Sequence, residues 1–359
     1  MKKLMITALM TSLLLAGCSQ WMDGSYSAVI PHTEPAYQAQ NTSISVVNYE
    51  QLYAELITLV EKGTENAVLS WPFKTEDLIR TDMETAVSNL MEYNPFAAYA
   101  VENIRYELGT SGNQIAMSVH ISYHSNRVRP EKILGIQTLN QVKNVVESRL
   151  NDCDASVVLY FDHVEQVDYD QMVADYAMAY PQKVMEAPEV TVSLYPEEGS
   201  QQVVELKFTY RTSRESLRTM QNKVSPVFAS AAQYVSGNYS AMEKASRLYT
   251  FLMNRYEYNI QTSITPAYSL LLHGVGDNRA FAMVYGAMCR NAGIECQIVT
   301  GTRAGEPWIW NVMQLDGEYY HLDLLQSNEI GEFTLRTGQE MTDYVWDYST
   351  YPINLEENE

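Results

Sequence analysis

The sequence predicts an α+β chain, with two tandem α-β-α-β-β repeat modules followed by a third α+β domain. Three observations carry this reading. Gln51–Trp71 (QLYAELITLVEKGTENAVLSW) aligns with Gln141–Phe161 (QVKNVVESRLNDCDASVVLYF) at an offset of 90 (141 − 51), and Leu108–Arg127 aligns with Tyr195–Arg214 at an offset of 87 (214 − 127). A short deletion between the blocks reconciles the two offsets, as expected of an internal repeat. Within the repeat, Val119, Ile121 and Tyr123, and again Val204, Leu206, Phe208 and Tyr210, alternate with more polar neighbours, the mark of half-buried antiparallel strands. Past the repeat, Leu270 to Leu325 runs as a glycine turn, an apolar helix and a set of strands.

Each copy reads helix, strand, helix, strand, strand. In the first, spanning 46–130, the elements are expected at about 49–62, 66–72, 80–93, 101–109 and 114–124, with a turn at Gly112 closing a hairpin. In the second, spanning 131–214, they fall at about 137–150, 155–161, 169–180, 189–195 and 202–211, with the turn at Gly199. Copies of about 88 residues can each close a small core. Arg127 and Arg214 follow their hairpins at equivalent places. A bond to nearby backbone is the expected role of each, ahead of a clamp for an external carboxylate. The third domain, 215–359, opens with helices expected at about 215–236 and 240–255.

The N-terminus pairs Lys2 and Lys3 with an apolar run from Leu4 to Leu15, the layout of an export signal and too short to span a bilayer. Leu15-Ala16-Gly17-Cys18 is similar to the lipobox of bacterial lipoproteins. That resemblance implies a signal peptide over 1–18, lipidation at Cys18 and a mature chain held by lipid on the extracytoplasmic face of a cell membrane. Residues 19–45 are polar and aperiodic and are expected to be a flexible tether. The chain is acidic, with 24 Lys and Arg against 44 Asp and Glu and a net charge of −20. Such a surface repels nucleic acid and anionic bilayers, so neither is an expected partner of the globule. There is no calcium loop of the D-x-D-x-D-G kind, and neither metal nor cofactor is expected. After lipidation Cys153, Cys289 and Cys296 remain, an odd count that argues against a disulfide framework. Buried free cysteine ordinarily behaves as a small hydrophobe.

The C-terminal region holds the candidate site. Gly274-Val275-Gly276-Asp277-Asn278 opens a helix running to about Asn291, Gly293-Ile294-Glu295-Cys296 leads into a strand at about 295–300, Trp308-Ile309-Trp310-Asn311 follows, and Tyr319-Tyr320-His321-Leu322-Asp323 ends the run. This order and spacing resembles the transglutaminase-like core of bacterial proteins, a papain-like α+β fold, and with the tail Met341–Pro352 the resemblance covers about Val224 to Pro352. The family places a cysteine nucleophile after the glycine turn, a histidine base at the head of the H-A-W-N strand and a carboxylate after W-Y-x-x. Here those places hold Asn278, Trp308 and Asp323, so the resemblance implies a frame with only its orienting carboxylate intact.

That acyl transfer needs a thiolate at a helix N-terminus and a base oriented by a third group. The amide of Asn278 is neither basic nor nucleophilic, and the indole of Trp308 only donates a hydrogen bond. An Asp or Asn at this place suits a helix cap, and Trp308 is expected to plug or line the former cleft. Asp277, Trp310, His321 and His273 are the remaining candidates for that cleft, His321 and Asp323 sharing a strand face by the period of two. An acid site from Asp277, Glu306 and Asp323 is also conceivable. The expectation is a catalytically inactive, membrane-anchored protein that binds an envelope peptide or glycan or scaffolds envelope proteins. The alternative is an altered hydrolase acting on peptidoglycan or protein, for which those side chains must converge on an open pocket.

Overall fold

The computed structural model describes residues 43–351 apart from 73, 112, 113, 164, 165 and 316. The signal peptide, Cys18, the tether up to 42, the Gly112 turn and the end of the tail at Pro352 lie outside the described residues. Ser43 onward forms one compact unit.

The first repeat runs β1 (Ile44–Ser45), α1 (Tyr49–Glu61), β2 (Asn66–Trp71), α2 (Glu76–Tyr93), α3 (Pro95–Ala100), β3 (Val101–Ser111) and β4 (Gln114–Tyr123). Asn48 caps α1 by accepting from the Gln51 N–H at 2.9 Å. The helix then buries Leu52, Leu56, Leu59 and Val60, one stripe at helical spacing, while α2 buries Ile79, Met83, Ala86 and Leu90 in the same way. Both stripes close over Leu69, Met117, Val119 and Ile121 of the sheet, whose strand order is β1-β2-β4-β3.

The second repeat runs β5 (Leu134–Ile136), α4 (Leu139–Asn151), β6 (Ser156–Phe161), α5 (Tyr169–Ala179), β7 (Glu189–Tyr195) and β8 (Gln202–Thr209). Its sheet order, β5-β6-β8-β7, is that of the first, again with a parallel edge strand and an antiparallel hairpin. Thr138 and Gln141 form a capping box at the head of α4. A shared cluster of Tyr99, Ala100, Val158 and Val203 joins the two repeats.

Three elements differ from the sequence expectation. Ile44 and Ser45, placed in the tether, form β1 and pair with Leu69 and Ser70, and β5 repeats this against Leu159–Phe161. Strands of two or three residues are too short to show alternation. The short helix α3, unforeseen, starts at Pro95 with Asn94 as its cap.

The third domain packs α6 (Arg214–Tyr234) and α7 (Ala241–Met253) against a central helix, α9 (Asn278–Asn291). Before α9 come β9 (Glu257–Tyr258), the helical turn α8 (Pro266–Tyr268) and β10 (Val275–Gly276). After it come β11 (Cys296–Arg303), β12 (Glu306–Leu315), β13 (Glu318–Leu322), α10 (Leu324–Ile330) and β14 (Tyr344–Val345). Every residue from Ala280 to Cys289 is buried, which is why α9 reads as apolar on all sides. Its sheet is antiparallel in the order β13-β12-β11-β14. The buried amide of Asn311 donates to the Ala282 carbonyl at 2.9 Å and staples β12 to α9.

Candidate functional site

The site lies where the head of α9 meets one end of this sheet. Parallel pairing of β9 with β10 holds the glycine turn, with the Glu257 N–H on the Gly274 carbonyl and the Asn259 N–H on that of Gly276, both at 2.8 Å. The expected cap is present one residue early. Asp277, not Asn278, has extended backbone and accepts from the Ala280 N–H at 2.8 Å, while Asn278 is the first helical residue. Asp277 is thereby committed to the helix terminus, where its charge also suits the positive end of the dipole. The Nδ2 of Asn278 is buried with no hydrogen-bond partner among the described residues.

On the sheet, strand pairing sets Asn311 opposite Leu322 and Val312 opposite His321. Trp308 and Trp310 therefore share one face with His321 and Asp323. Two indoles reach diagonally across that face. Trp308 Nε1 donates to Asp323 Oδ2 at 2.7 Å, and Trp310 Nε1 donates to His321 Nδ1 at 2.9 Å. The Trp308 indole N–H thus meets its carboxylate much as an imidazole N–H meets the aspartate of a Ser-His-Asp triad.

Asp323 has further partners. Its Oδ1 accepts from the N–H groups of Leu325 and Gln326, capping α10, and its Oδ2 accepts from the Tyr344 hydroxyl at 2.7 Å and lies 3.5 Å from Arg303 Nη1. Burial, with the neighbouring Asp323 charge adding to it, pushes the Tyr344 phenol well above its ordinary range. The guanidinium of Arg303 stacks over the Trp308 ring, 5.4 Å from its centroid. Tyr344 and Arg303 are the two members of this cluster that sequence reasoning missed.

His321 and Trp310 line no open cleft. They are 1% and 0% exposed and sit in an aromatic cluster with Tyr344 and Trp346. Desolvation pulls the His321 pKa down to about 4, so the ring is neutral at neutral pH. His273 is exposed on the turn ahead of β10, its ring edge-on to Tyr268. Cys289 and Cys296 are buried free thiols, and burial raises the pKa of Cys289 well above the ordinary thiol value. Cavities of about 920 and 360 Å³ open elsewhere, and neither is lined by Asn278, Trp308, Asp323, His321 or His273. The cluster can hold a carboxylate and fix the tail; it presents no paired nucleophile and base.

Residues 229–324 match the model of the transglutaminase-like superfamily, so the chain carries a transglutaminase-like domain. Among solved structures it is similar to a TGase crystal structure at 10% identity over 58% of this chain and 63% of that one, with a TM-score of 0.28. It is also similar to a candidate cysteine protease from Cytophaga hutchinsonii, at 14% identity over 46% of this chain and 69% of that one, with a TM-score of 0.27. A third, a candidate protease from Parabacteroides distasonis, shows 10% identity over 76% and 66%, with a TM-score of 0.23. The chain thus spans less than two thirds of the TGase it matches. No curated protein matches it.

Proposed function

We propose that the transglutaminase-like domain of this chain holds a ligand instead of cutting one, as part of a lipoprotein anchored through Cys18 on the outer face of a cell membrane. The observation that carries the proposal is the 2.7 Å bond from Trp308 Nε1 to Asp323 Oδ2. An indole that donates to the orienting carboxylate takes the base's place in the frame and cannot accept a proton. At the nucleophile position Asn278 adds an amide in place of a thiolate, and Asp277 is engaged as a helix cap. The lipobox at Leu15–Cys18 supports the anchor, and the acidic composition suits an exported globule. The ligand class is an envelope peptide or glycan, or a surface of another envelope protein.

The test is turnover. The wild-type chain is expected to release no ammonia from glutamine peptides and no fragments from peptidoglycan or casein. Turnover that disappears in Asp323→Asn would overturn the proposal in favour of an altered hydrolase. The double variant Asn278→Cys with Trp308→His is expected to gain a thiol that reacts with iodoacetamide faster than Cys289 or Cys296, because the helix N-terminus and an imidazole lower its pKa.

A further inference from the structure

The third sheet is only partly covered along its β11 edge. β12 pairs with the whole of β11, from Cys296 opposite Met313 to Arg303 opposite Glu306, whereas β14 reaches only Thr302 and Arg303. Backbone groups alternate in direction along a strand. The Gln314 N–H donates to the Glu295 carbonyl, so odd-numbered residues address β12. The Ala304 N–H donates to the Asp343 carbonyl, so even-numbered residues address the β14 side. The Cys296 carbonyl already accepts from Arg290 Nη1 at 2.5 Å. Ile298 and Thr300 are left with N–H and C=O aimed away from β12, on a stretch where no described strand pairs with them.

This open edge is one wall of the cavity of about 920 Å³. The opposite wall comes from the second repeat, with Lys143 and Glu147 of α4 and Asp175 and Tyr176 of α5, and the segment Trp346–Tyr351 closes one side. We propose that the edge at Ile298 and Thr300 binds an extended peptide by strand addition, and that the peptide carries a cationic side chain. Two features specify this occupant. The same edge already accepts β14 one step further along, so an added strand continues an existing ladder. Glu147, Asp175 and Asp347 line the groove with Lys143 and Arg290, three carboxylates against two cations; Lys143 is paired with Glu147 at 4.0 Å, and Arg290 has both Nη groups engaged, by the Cys296 and Ala179 carbonyls. A chain of net charge −20 adds long-range attraction for a basic peptide. The volume lies in the range of ligand sites, about 300–1,000 Å³. The inference deepens the ligand-holding reading and rests on it only for the fate of the peptide.

The test uses the full chain and a capped pentapeptide alternating lysine and valine, titrated by calorimetry. The variant Thr300→Pro removes an N–H that no strand uses, so the β11–β12 ladder survives, while the added strand loses a bond. Binding is expected to weaken by about tenfold or more with an unchanged circular dichroism spectrum, and Thr300→Val is expected to retain it. Peptides N-methylated at alternate residues should lose binding in one phase and keep it in the other. A glutamate–valine peptide should bind far more weakly. The proposal is overturned by no binding at millimolar peptide, by a folded Thr300→Pro variant of unchanged affinity, or by equal loss in both methylation phases. A dimer that Thr300→Pro dissociates would assign the edge to a second copy of the chain and equally overturn it. Mass spectrometry of the recovered peptide separates the two readings. Cleaved peptide sinks the ligand-holding function, while Thr300→Pro still decides the edge.

Discussion

Asp323 accepts hydrogen bonds from two backbone amides, an indole and a phenol. Such a carboxylate ties together the head of α10, the β12 indole and the tail. Removing one donor shows how much it depends on them. The substitution Trp308→Phe keeps an aromatic ring, though a smaller one, and loses the N–H, and is expected to lower stability by about 2 kcal/mol, the scale of a bond to a charged group, measured as a shift of the urea midpoint. His321 supplies a different test. Its folded pKa of about 4 lies below the ordinary 6.5, so the unfolded chain takes up the proton first as pH falls. The stability tied to the neutral ring is complete above pH 6.5 and is lost between 6.5 and 4, by at most on the order of 3 kcal/mol. Carboxylates also titrate toward the lower end of that window, so the comparison is with His321→Gln, which is expected to lose less stability than wild type between pH 7 and 4.5. Equal slopes for the two proteins would contradict the assignment.

At the scale of elements, glycine decides how the tail docks. A Cβ on Gly301 would run into the Val345 carbonyl and the Trp310 ring, because β14 crosses β11 closely there. Gly301→Ala is expected to cost about 1–3 kcal/mol and to make the tail after Met341 a preferred site of limited proteolysis. The elements that could be read from the sequence are those whose pattern repeats often enough. The stripes of α1 and α2 and the alternation in β4 each offer several repeats of their period. β8, expected to be half-buried, is instead buried on both faces from Gln202 to Leu206, because Val203 on its second face packs into the cluster around Tyr99. β1, β5 and α3 offer too few. The site was legible to the same extent. The resemblance singled out Trp308 and Asp323, and period two puts Trp308, Trp310 and His321 on one face. The bonds among them depend on the pairing of β12 with β13, and Tyr344 arrives from 21 residues beyond Asp323. Arg303 lies past the expected end of its strand because β11 extends to meet β14.

Across the molecule, the two repeats meet in a cluster centred on Tyr99, beside the Phe96–Tyr160 ring contact. Tyr99 is fully buried, its hydroxyl accepts from the Val128 N–H, its ring meets Tyr195 of the second repeat at 5.2 Å, and the Arg127 guanidinium lies over both rings. Arg127 also donates to the Tyr99 carbonyl, while its counterpart Arg214 donates to the Asp152 carbonyl and pairs with the Asp154 carboxylate at 2.6 Å, so each repeated arginine bonds backbone and Arg214 adds an ion pair. Tyr99→Ala is expected to cost about 3–5 kcal/mol and to split a single thermal transition into two, because it empties the cluster that joins the repeats. A variant that still melts in one step would show that other contacts suffice. The indole pair on β12 has an optical consequence. Of the chain's five tryptophans, Trp308, Trp310 and Trp346 meet at one end of the third sheet, and Trp71 is buried in the first repeat. Intrinsic fluorescence is therefore weighted toward the end of the sheet where the tail docks, and in a Trp71→Phe background the emission from the described residues reports on that end alone, a built-in probe that needs no label.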